Sequence, residues 1–271
     1  LPTTHLYHQN RRETEIINMG KRIYLGIIYS ITAICIIIGI IINVWDIPSL
    51  SWISDSFKSK KNITYTDNLE AFDNLDIDTS LGNVNVVNGT SFSIEYKGNA
   101  SYCPEYSVNS STLKITQPDS GNKIIKNIHL KNVKSELTIT IPSDVTLTTV
   151  NCDINFGNSE LTGIKGSNIT SHVDMGNLTL SDCSFSQYNI DTNMGNIDIS
   201  RCSFDTMHLG VDMGNASVKL PRSDAHGYNL ETDMGNVNLY GTNYKRNCSY
   251  NTDAEKMITA KVNMGNIDIY E

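Results

Sequence analysis

The sequence predicts an all-β fold, namely a β-solenoid with repeats of about 19 residues, preceded by one transmembrane α-helix. Two observations predict it. The phrase Met-Gly-Asn occurs five times and is each time followed by alternating apolar residues, as in DTNMGNIDIS at residues 191–200. In addition, residues 23–44 form an uncharged run that is rich in isoleucine. A short period of strand-forming residues is typical of a stacked array, in which each repeat buries its apolar face against its neighbours.

The N-terminal segment contains the predicted membrane span. Residues 23–44 are long enough to cross a bilayer, and they fit a buried core helix or a cleaved signal peptide less well. Residues 1–22 are then a short cytoplasmic tail, because the basic pair Lys21 and Arg22 directly precedes the span and basic flanks stay inside. Met19 is a candidate for the true start, since the preceding residues show neither periodicity nor a motif.

This orientation predicts a single-pass protein of the cell membrane, with a cytoplasmic N-terminus and an extracytoplasmic C-terminal domain. Residues 45–68 are predicted to be a polar linker, because they contain Pro48 and several serines and lysines. Residues 69–271 are predicted to be the β-solenoid domain, since the alternating pattern begins there with FDNLDIDTSLGNVNVV.

The repeated Gly-Asn pair is predicted to form the corner of each repeat. Glycine permits a restricted backbone there, and asparagine tolerates turns and bonds back to the main chain. The later repeat glycines follow one another at intervals of 19, 19, 19, 21 and 30 residues. The predicted corners are Gly82 with Asn83, Gly157 with Asn158, Gly176 with Asn177, Gly195 with Asn196, Gly214 with Asn215, Gly235 with Asn236, and Gly265 with Asn266. A two-residue hairpin turn is the alternative interpretation.

Stacked repeats would place equivalent side chains in columns with a spacing of about 4.8 Å. The asparagines of the corners would then hydrogen-bond along their column. Two residues before the corner glycines, the column reads, in sequence order, Asp174, Asn193, Asp212, Asp233 and Asn263. This order predicts that the carboxylates of Asp212 and Asp233 are adjacent.

The inward face of one repeat follows from the alternation of side chains along a strand. Before the corner, Ile190, Thr192 and Met194 occupy every second position and therefore point to the same face of the strand. After the corner, Ile197 and Ile199 do the same. All five are predicted to point inward. The methionines of the repeats are therefore predicted to form a core ladder of Met175, Met194, Met213, Met234 and Met264. A methionine column also suggests soft-metal binding, but on an inward face core packing is the favoured interpretation, and no metal site is predicted.

Six cysteines are present, of which Cys35 lies in the predicted span. There is no Cys-x-x-Cys, so neither a zinc site nor a thioredoxin-like site is predicted. The other cysteines are Cys103, Cys152, Cys183, Cys202 and Cys248. The regular placement of Cys183, Cys202 and Cys248 in similar phrases indicates small buried side chains, and a disulfide between Cys183 and Cys202, which occupy the matching phrases SDCSF and SRCSF, is the alternative.

The negative net charge of the chain restricts the kinds of partner that it can bind. Residues 1–22 hold four of the 21 basic and two of the 29 acidic residues, so the remainder of the chain has a net charge of −10. This charge argues against nucleic acid, and against anionic polymers unless a divalent cation mediates. The predicted partners are the membrane, through the anchor, and cell-wall glycan or envelope proteins. No cofactor is predicted.

Three stretches of the chain resemble a known bacterial family. They are FDNLDIDTSLGNVNVV followed by FSIEY, then LTITIPSDVTLTTVNCDINFGNSEL, and finally the Met-Gly-Asn repeats, which together cover residues 69–271. On these motifs the chain resembles the DUF4097 putative adhesin family. The resemblance implies a β-solenoid-like envelope protein behind a single membrane anchor, with no assigned catalytic residues. The late insertion NYKRNCSYNTDAEKM departs from the regular spacing of the family.

The favoured function is that of a non-catalytic, membrane-anchored envelope protein that presents its solenoid for adhesion or for binding to envelope polymers or proteins. An envelope-stress sensor or regulatory accessory protein is the alternative. A polysaccharide-processing β-helix enzyme is the remote alternative, in which Asp174, Asp212 and Asp233 would be calcium ligands. No catalytic residue is predicted, because neither Gly-x-Ser-x-Gly, His-Glu-x-x-His nor a calcium-binding nonapeptide occurs.

Overall fold

The computed structural model describes residues 62–117 and 135–271, which belong to one compact unit. These residues are mostly β-strand, with one short 3-10 turn at Ala100–Tyr102, so the all-β class is confirmed. The predicted cytoplasmic tail and transmembrane helix lie outside the described residues. In the described part of the chain, no helix has the length and apolar character that a membrane span requires.

The strands are numbered in chain order. The N-terminal part contributes β1 (Asn62–Asn68), β2 (Asn74–Thr79), β3 (Asn83–Gly89), β4 (Ser93–Asn99), β5 (Glu105–Asn109), β6 (Thr112–Thr116) and β7 (Glu136–Pro142). The regular repeats contribute β8 (Leu147–Phe156), β9 (Ser159–Thr162), β10 (Lys165–Met175), β11 (Leu178–Ser181), β12 (Ser184–Met194), β13 (Ile197–Ser200), β14 (Thr206–Met213) and β15 (Ala216–Lys219). The C-terminal part contributes β16 (His226–Met234), β17 (Val237–Leu239), β18 (Thr242–Asn243), β19 (Asn247–Tyr250), β20 (Lys256–Met264) and β21 (Ile267–Tyr270).

The strands form two sheets. One sheet has ten strands in the order β19-β16-β20-β14-β12-β10-β8-β2-β6-β5, and the other has eleven in the order β1-β4-β7-β3-β9-β11-β13-β15-β21-β17-β18. In each repeat, a strand of the ten-stranded sheet continues through a corner into a strand of the eleven-stranded sheet, as β12 does into β13. Neighbouring repeats pair in parallel and in register. The hairpin interpretation is therefore wrong, because a hairpin pairs the two strands beside its turn antiparallel.

The inward faces of both sheets share one hydrophobic core. Ile190 and Ile197 are buried in the repeat of β12 and β13, and equivalent positions are buried in the other repeats. Each fully buried aliphatic side chain contributes roughly 1.5 to 3 kcal/mol relative to exposure. The outward neighbours Asn189, Asp191 and Asp198 are exposed, as the alternation along the strands predicts.

The spatial order of the repeats differs from their sequence order at both ends. The last repeat, β20 and β21, lies between the repeat of β14 and β15 and that of β16 and β17. The first repeat, β2 and β3, lies in the same way between β8 and β9 on one side and β6 and β7 on the other. Antiparallel strands occupy the four sheet edges. Because exposed edges promote aggregation, short antiparallel end strands protect the parallel stack.

The predicted linker is too long at its C-terminal end. Asn62–Asn68, which falls within it, forms β1 and pairs antiparallel with β4. Tyr65 of β1 is half-buried and its ring lies 6.0 Å from that of Tyr96. The pairing partner, β4, is separated from β1 in sequence, so the short alternation in this segment did not by itself indicate a strand.

Candidate binding surface

Each corner glycine of the regular repeats lies directly against the corner glycine of the next repeat. Gly195 has a φ of +155°, and its N–H donates to the carbonyl oxygen of Met213 at 3.0 Å. A Cβ atom on Gly195 would overlap the carbonyl oxygen of Gly176. A comparable overlap with a corner carbonyl would occur at Gly157, Gly176, Gly214, Gly235 and Gly265. Glycine is therefore required by the close approach of two backbones, in addition to the backbone angle.

The asparagine after each corner glycine belongs to a continuous hydrogen-bonded column. The side-chain oxygen of Asn177 accepts the backbone N–H of Asn196 at 2.9 Å, and that of Asn196 accepts the N–H of Asn215 at 3.0 Å. In spatial order, the column consists of Asn83, Asn158, Asn177, Asn196, Asn215, Asn266 and Asn236. These side chains therefore hold the stack together at its corner, and the oxygens that bridge the repeats are already occupied.

The residue before each corner glycine belongs to an exposed apolar column. The strand register orders it as Met175, Met194, Met213, Met264 and Met234. Met194 is 40% exposed, Met213 and Met264 are each 43% exposed, and Met234 is 60% exposed, whereas Met175 is half-buried. The prediction of a core ladder is therefore wrong, although the methionines do stack. At the corner the chain leaves the plane of the sheet, so the alternation that buries Thr192 does not bury Met194.

A column of alternating amides and carboxylates flanks the methionines. In spatial order it reads Asn155, Asp174, Asn193, Asp212, Asn263 and Asp233. The side-chain amide of Asn193 donates to Asp174 at 2.6 Å, and that of Asn263 donates to Asp212 at 2.8 Å. The predicted adjacency of Asp212 and Asp233 is wrong, because the last repeat inserts Asn263 between them. This order separates the carboxylates, which would repel each other as direct neighbours.

The outward face of the ten-stranded sheet carries two long polar rows. Four residues before the corner glycine, the row reads in spatial order Asp78, Asp153, His172, Asp191, Gly210, Lys261 and Glu231. Six residues before the glycine, it reads Asp76, Asn151, Thr170, Asn189, His208, Thr259 and Asn229. We call these two rows the polar strip. It crosses seven neighbouring strands and contains no large apolar side chain.

Gly210 interrupts the polar strip and leaves a shallow recess of about 410 Å³. The recess is lined by Asp191, Thr192, Asn193, His208, Leu209, Gly210, Val211, Asp212, Thr259, Lys261 and Asn263. The carboxylate of Asp191 leans over Gly210, since a Cβ atom on that glycine would overlap it. Burial raises the pKa of Asp191, His172 opposes this shift, and Asp212 adds to it. The recess thus offers carboxylates and the ammonium group of Lys261 to one ligand.

The neighbouring turns after β11 and β13 are joined by an ion pair, and each of them carries one buried thiol. Arg201 donates to both carboxylate oxygens of Asp182 at 2.7 and 2.8 Å, which lowers the pKa of Asp182. Cys183 and Cys202 lie beside this pair and are buried, and their mutual hydrogen bond, together with burial, raises the pKa of Cys183. All five described cysteines are free thiols, so the disulfide alternative is not realised. Cys183, Cys202 and Cys248 are buried, as predicted, and Cys103 is half-buried.

Residues 62–117 and 135–271 contain no preformed site for a hard metal ion such as Ca²⁺, because no three His, Cys, Asp or Glu side chains converge there. The side chains of Asp174, Asp212 and Asp233 are separated from one another by asparagines rather than brought together. His172 contacts Asp174 at 3.1 Å on its own strand. What the ten-stranded sheet offers instead is a broad outward set of hydrogen-bonding groups, with a shallow recess at Gly210.

Comparison with known proteins identifies the family. The model of the Toastrack DUF4097 family matches residues 72–256, which is more than half of the chain. The chain belongs to the Toastrack DUF4097 family. The resemblance stated from the sequence is thereby confirmed. Among curated proteins, none is similar to this chain.

Several solved structures are similar to this Toastrack chain. The structure of "a putative cell adhesion protein" from Clostridium sporogenes is 17% identical, covers 78% of this chain and 99% of its own, and has a TM-score of 0.53. That of "a putative adhesin" from Bacteroides fragilis is 15% identical, covers 78% of this chain and 98% of its own, and has a TM-score of 0.41. A "putative lipid binding protein" from Parabacteroides distasonis is 10% identical, with coverages of 78% and 97% and a TM-score of 0.33. The first of these likenesses supports the fold.

Sequence reasoning missed the recess in this Toastrack domain. Gly210 is not a corner glycine, and it occupies an outward position where the other regular repeats carry Asp153, His172 and Asp191. A glycine inside a strand often marks a close approach or a space on the surface, so the phrase HLGVDM contained a signal. Lys261 could not be placed beside it, because the last repeat enters the stack out of sequence order.

Proposed function

We propose that this Toastrack protein is a non-catalytic, membrane-anchored binding module of the cell envelope. Residues 1–22 form its cytoplasmic tail, residues 23–44 its transmembrane helix, and the β-solenoid domain lies outside the membrane. The domain binds an extended envelope polymer or protein through the polar strip. The descriptions of the similar solved structures as adhesion proteins agree with this role.

The polar strip is the observation that carries the proposal. Parallel strands repeat equivalent side chains at a spacing of about 4.8 Å, so the strip offers hydrogen-bonding groups in a regular linear array. An elongated ligand with its own repeat would make many weak contacts along such an array, and their sum would provide avidity. The shallow recess at Gly210 would accept one projecting group and thereby fix the register of the ligand.

The charge of the strip defines the ligand chemistry. Asp78 and Asp153 lie on neighbouring strands, and Asp191 lies beside the recess, whereas Lys261 is the one cation of the two rows as defined above. A neutral glycan or a basic protein patch would therefore bind without assistance. An anionic wall polymer would require calcium or another divalent cation to bridge its charge to these carboxylates.

The proposed topology predicts a protease-sensitive outer domain. Protease added to intact, wall-stripped cells should remove the Toastrack domain and leave a small membrane-bound fragment, because residues 45–271 would face the medium. Immunoblotting with antibodies against each end measures this, and a cytoplasmic protein serves as the control for lysis. Protection of the domain until the cells are lysed would contradict the proposed orientation.

Binding is best tested with Gly210→Gln, which fills the recess. The atom that a new Cβ would meet is the end of the flexible Asp191 side chain, so the domain should fold normally. The purified full-length protein is mixed with cell-wall sacculi and with solubilised membrane proteins, each with and without calcium. We expect Gly210→Gln to reduce retention about fivefold, which corresponds to about 1 kcal/mol of binding free energy.

Ser217→Gln is the matched control for this experiment. Ser217 lies in the same repeat as Gly210 but faces outward from the eleven-stranded sheet, so its substitution should change retention less than about twofold. Equal loss in both variants would contradict the assignment to the polar strip. Retention of the unchanged protein no better than that of an unrelated acidic β-protein would contradict the binding function, and release of oligosaccharide from sacculi would indicate an enzyme instead.

A further inference from the structure

The methionine column is an unusual arrangement for exposed side chains. Four successive positions along the stack, Met194, Met213, Met264 and Met234, each expose at least 40% of their surface. Their thioether sulfurs are polarizable and can donate electron pairs to soft metals. The sequence predicted these side chains to pack in the core, which made metal binding the less favoured interpretation. In the structure they are exposed to solvent, so their sulfurs are accessible to a metal ion.

We propose that the column of Met194, Met213, Met264 and Met234 binds a soft monovalent metal ion, namely Cu(I). Thioethers are neutral, so they suit an ion of low charge that prefers sulfur, whereas Ca²⁺ and Mg²⁺ prefer oxygen. The sulfur ligands lie outside the polar strip, and the proposal does not rest on the binding function proposed above.

The spacing of the strands fits this chemistry. Equivalent residues on neighbouring strands are about 4.8 Å apart, and metal–sulfur bonds are about 2.3 Å long. Adjacent methionines that share one rotamer would repeat their sulfurs at this spacing, and an ion midway between them would then lie at bonding distance from both. The flexible side chain of a third methionine along the column could complete a three-sulfur site, since methionine has three rotatable bonds.

The neighbouring column adds a favourable electrostatic field. Asp212 and Asp233 lie directly before Met213 and Met234, and Asn263 separates their carboxylates. These groups attract a cation to the corner without forming a converging set of oxygen ligands. The carboxylates therefore raise the local concentration of any cation, and the sulfurs select the soft one.

The other end of the column limits the site. Phe156 occupies the equivalent position beside Met175 and cannot ligate a metal ion. A plain apolar docking stripe would use Phe156 and the methionines alike, whereas a metal site would use the methionines alone. Replacement of methionine by leucine separates the two, because leucine keeps a similar volume and apolar surface but has no sulfur.

The test compares the full-length protein with the variant Met194→Leu, Met213→Leu, Met264→Leu, Met234→Leu. Cu(I), kept reduced without oxygen, is titrated against a chromogenic Cu(I) chelator, with Ag(I) as an air-stable probe in parallel. We expect the unchanged protein to bind at least one more ion than the variant, and the affinity for that ion to fall about tenfold or more. X-ray absorption should show sulfur ligands around the additional ion.

The same comparison controls for metal binding by cysteine thiols and for changes in folding. Both proteins keep all six cysteines, so copper bound to thiols contributes equally to both titrations. Met257→Leu changes a half-buried methionine of β20 outside the column and should leave metal binding unchanged. Circular dichroism should be the same for all three proteins. Equal Cu(I) binding by the unchanged protein and the fourfold variant would overturn the proposal, as would methionine-dependent binding of Zn²⁺ with similar affinity.

Discussion

Gly195→Ala is expected to lower the free energy of unfolding by about 3 to 6 kcal/mol, or to prevent folding. The new Cβ would overlap the carbonyl oxygen of Gly176, which is a backbone atom and cannot move aside as a flexible side chain could. Separation of the two repeats would also break the hydrogen bonds of Asn196 to Asn177. Chemical denaturation followed by circular dichroism measures the effect.

Gly241→Ala is the matched control for this change. Gly241 also has a positive φ, of +81°, but a Cβ atom there would meet nothing within 4 Å. Only backbone strain should remain, at about 1 to 2 kcal/mol. The difference between the two variants therefore isolates the close approach of stacked corners. Equal losses of stability in both variants would mean that the backbone angle alone explains why glycine recurs at the corners of this chain.

Deletion of residues 256–271 is expected to destabilise the C-terminal half of the domain on the order of 5 to 10 kcal/mol. The deletion removes β20 and β21, which lie inside the stack and pair on both sides. It also removes the buried side chains Ile258, Val262 and Ile267 from the core. Residues 226–250 would lose their parallel neighbour and should become sensitive to protease, as limited proteolysis with mass spectrometry can show.

Removal of Glu271 alone controls for a changed C-terminus, because this residue is exposed and follows the last strand. It should leave the unfolding transition where it is. If the last repeat capped the stack, as sequence order suggests, the longer deletion would expose one face only. If residues 62–250 still unfolded cooperatively and resisted protease after that deletion, the result would contradict the inserted position of the last repeat.

The local features of this protein follow from its amino-acid sequence alone. Alternation along a strand depends only on backbone geometry, so it correctly assigned Ile190 and Ile197 to the core and Asp198 to the surface. The fixed interval between repeats predicted an all-β stack, and the motifs identified the family. Each of these features is set within one repeat or by the repetition itself.

The surface on which each column lies, and the order in which the repeats stack, depend on long-range contacts that appear only in the folded protein. Met194 continues the inward parity of its strand, but the turn into the other sheet directs it to solvent, and strand alternation contains no information on such a turn. The insertion of β20 and β21 beside β14 and β15 depends on long-range pairing, which places Lys261 next to Gly210 and Asn263 between Asp212 and Asp233. The recess and the alternating column arise from these contacts, because they join residues that no local pattern connects.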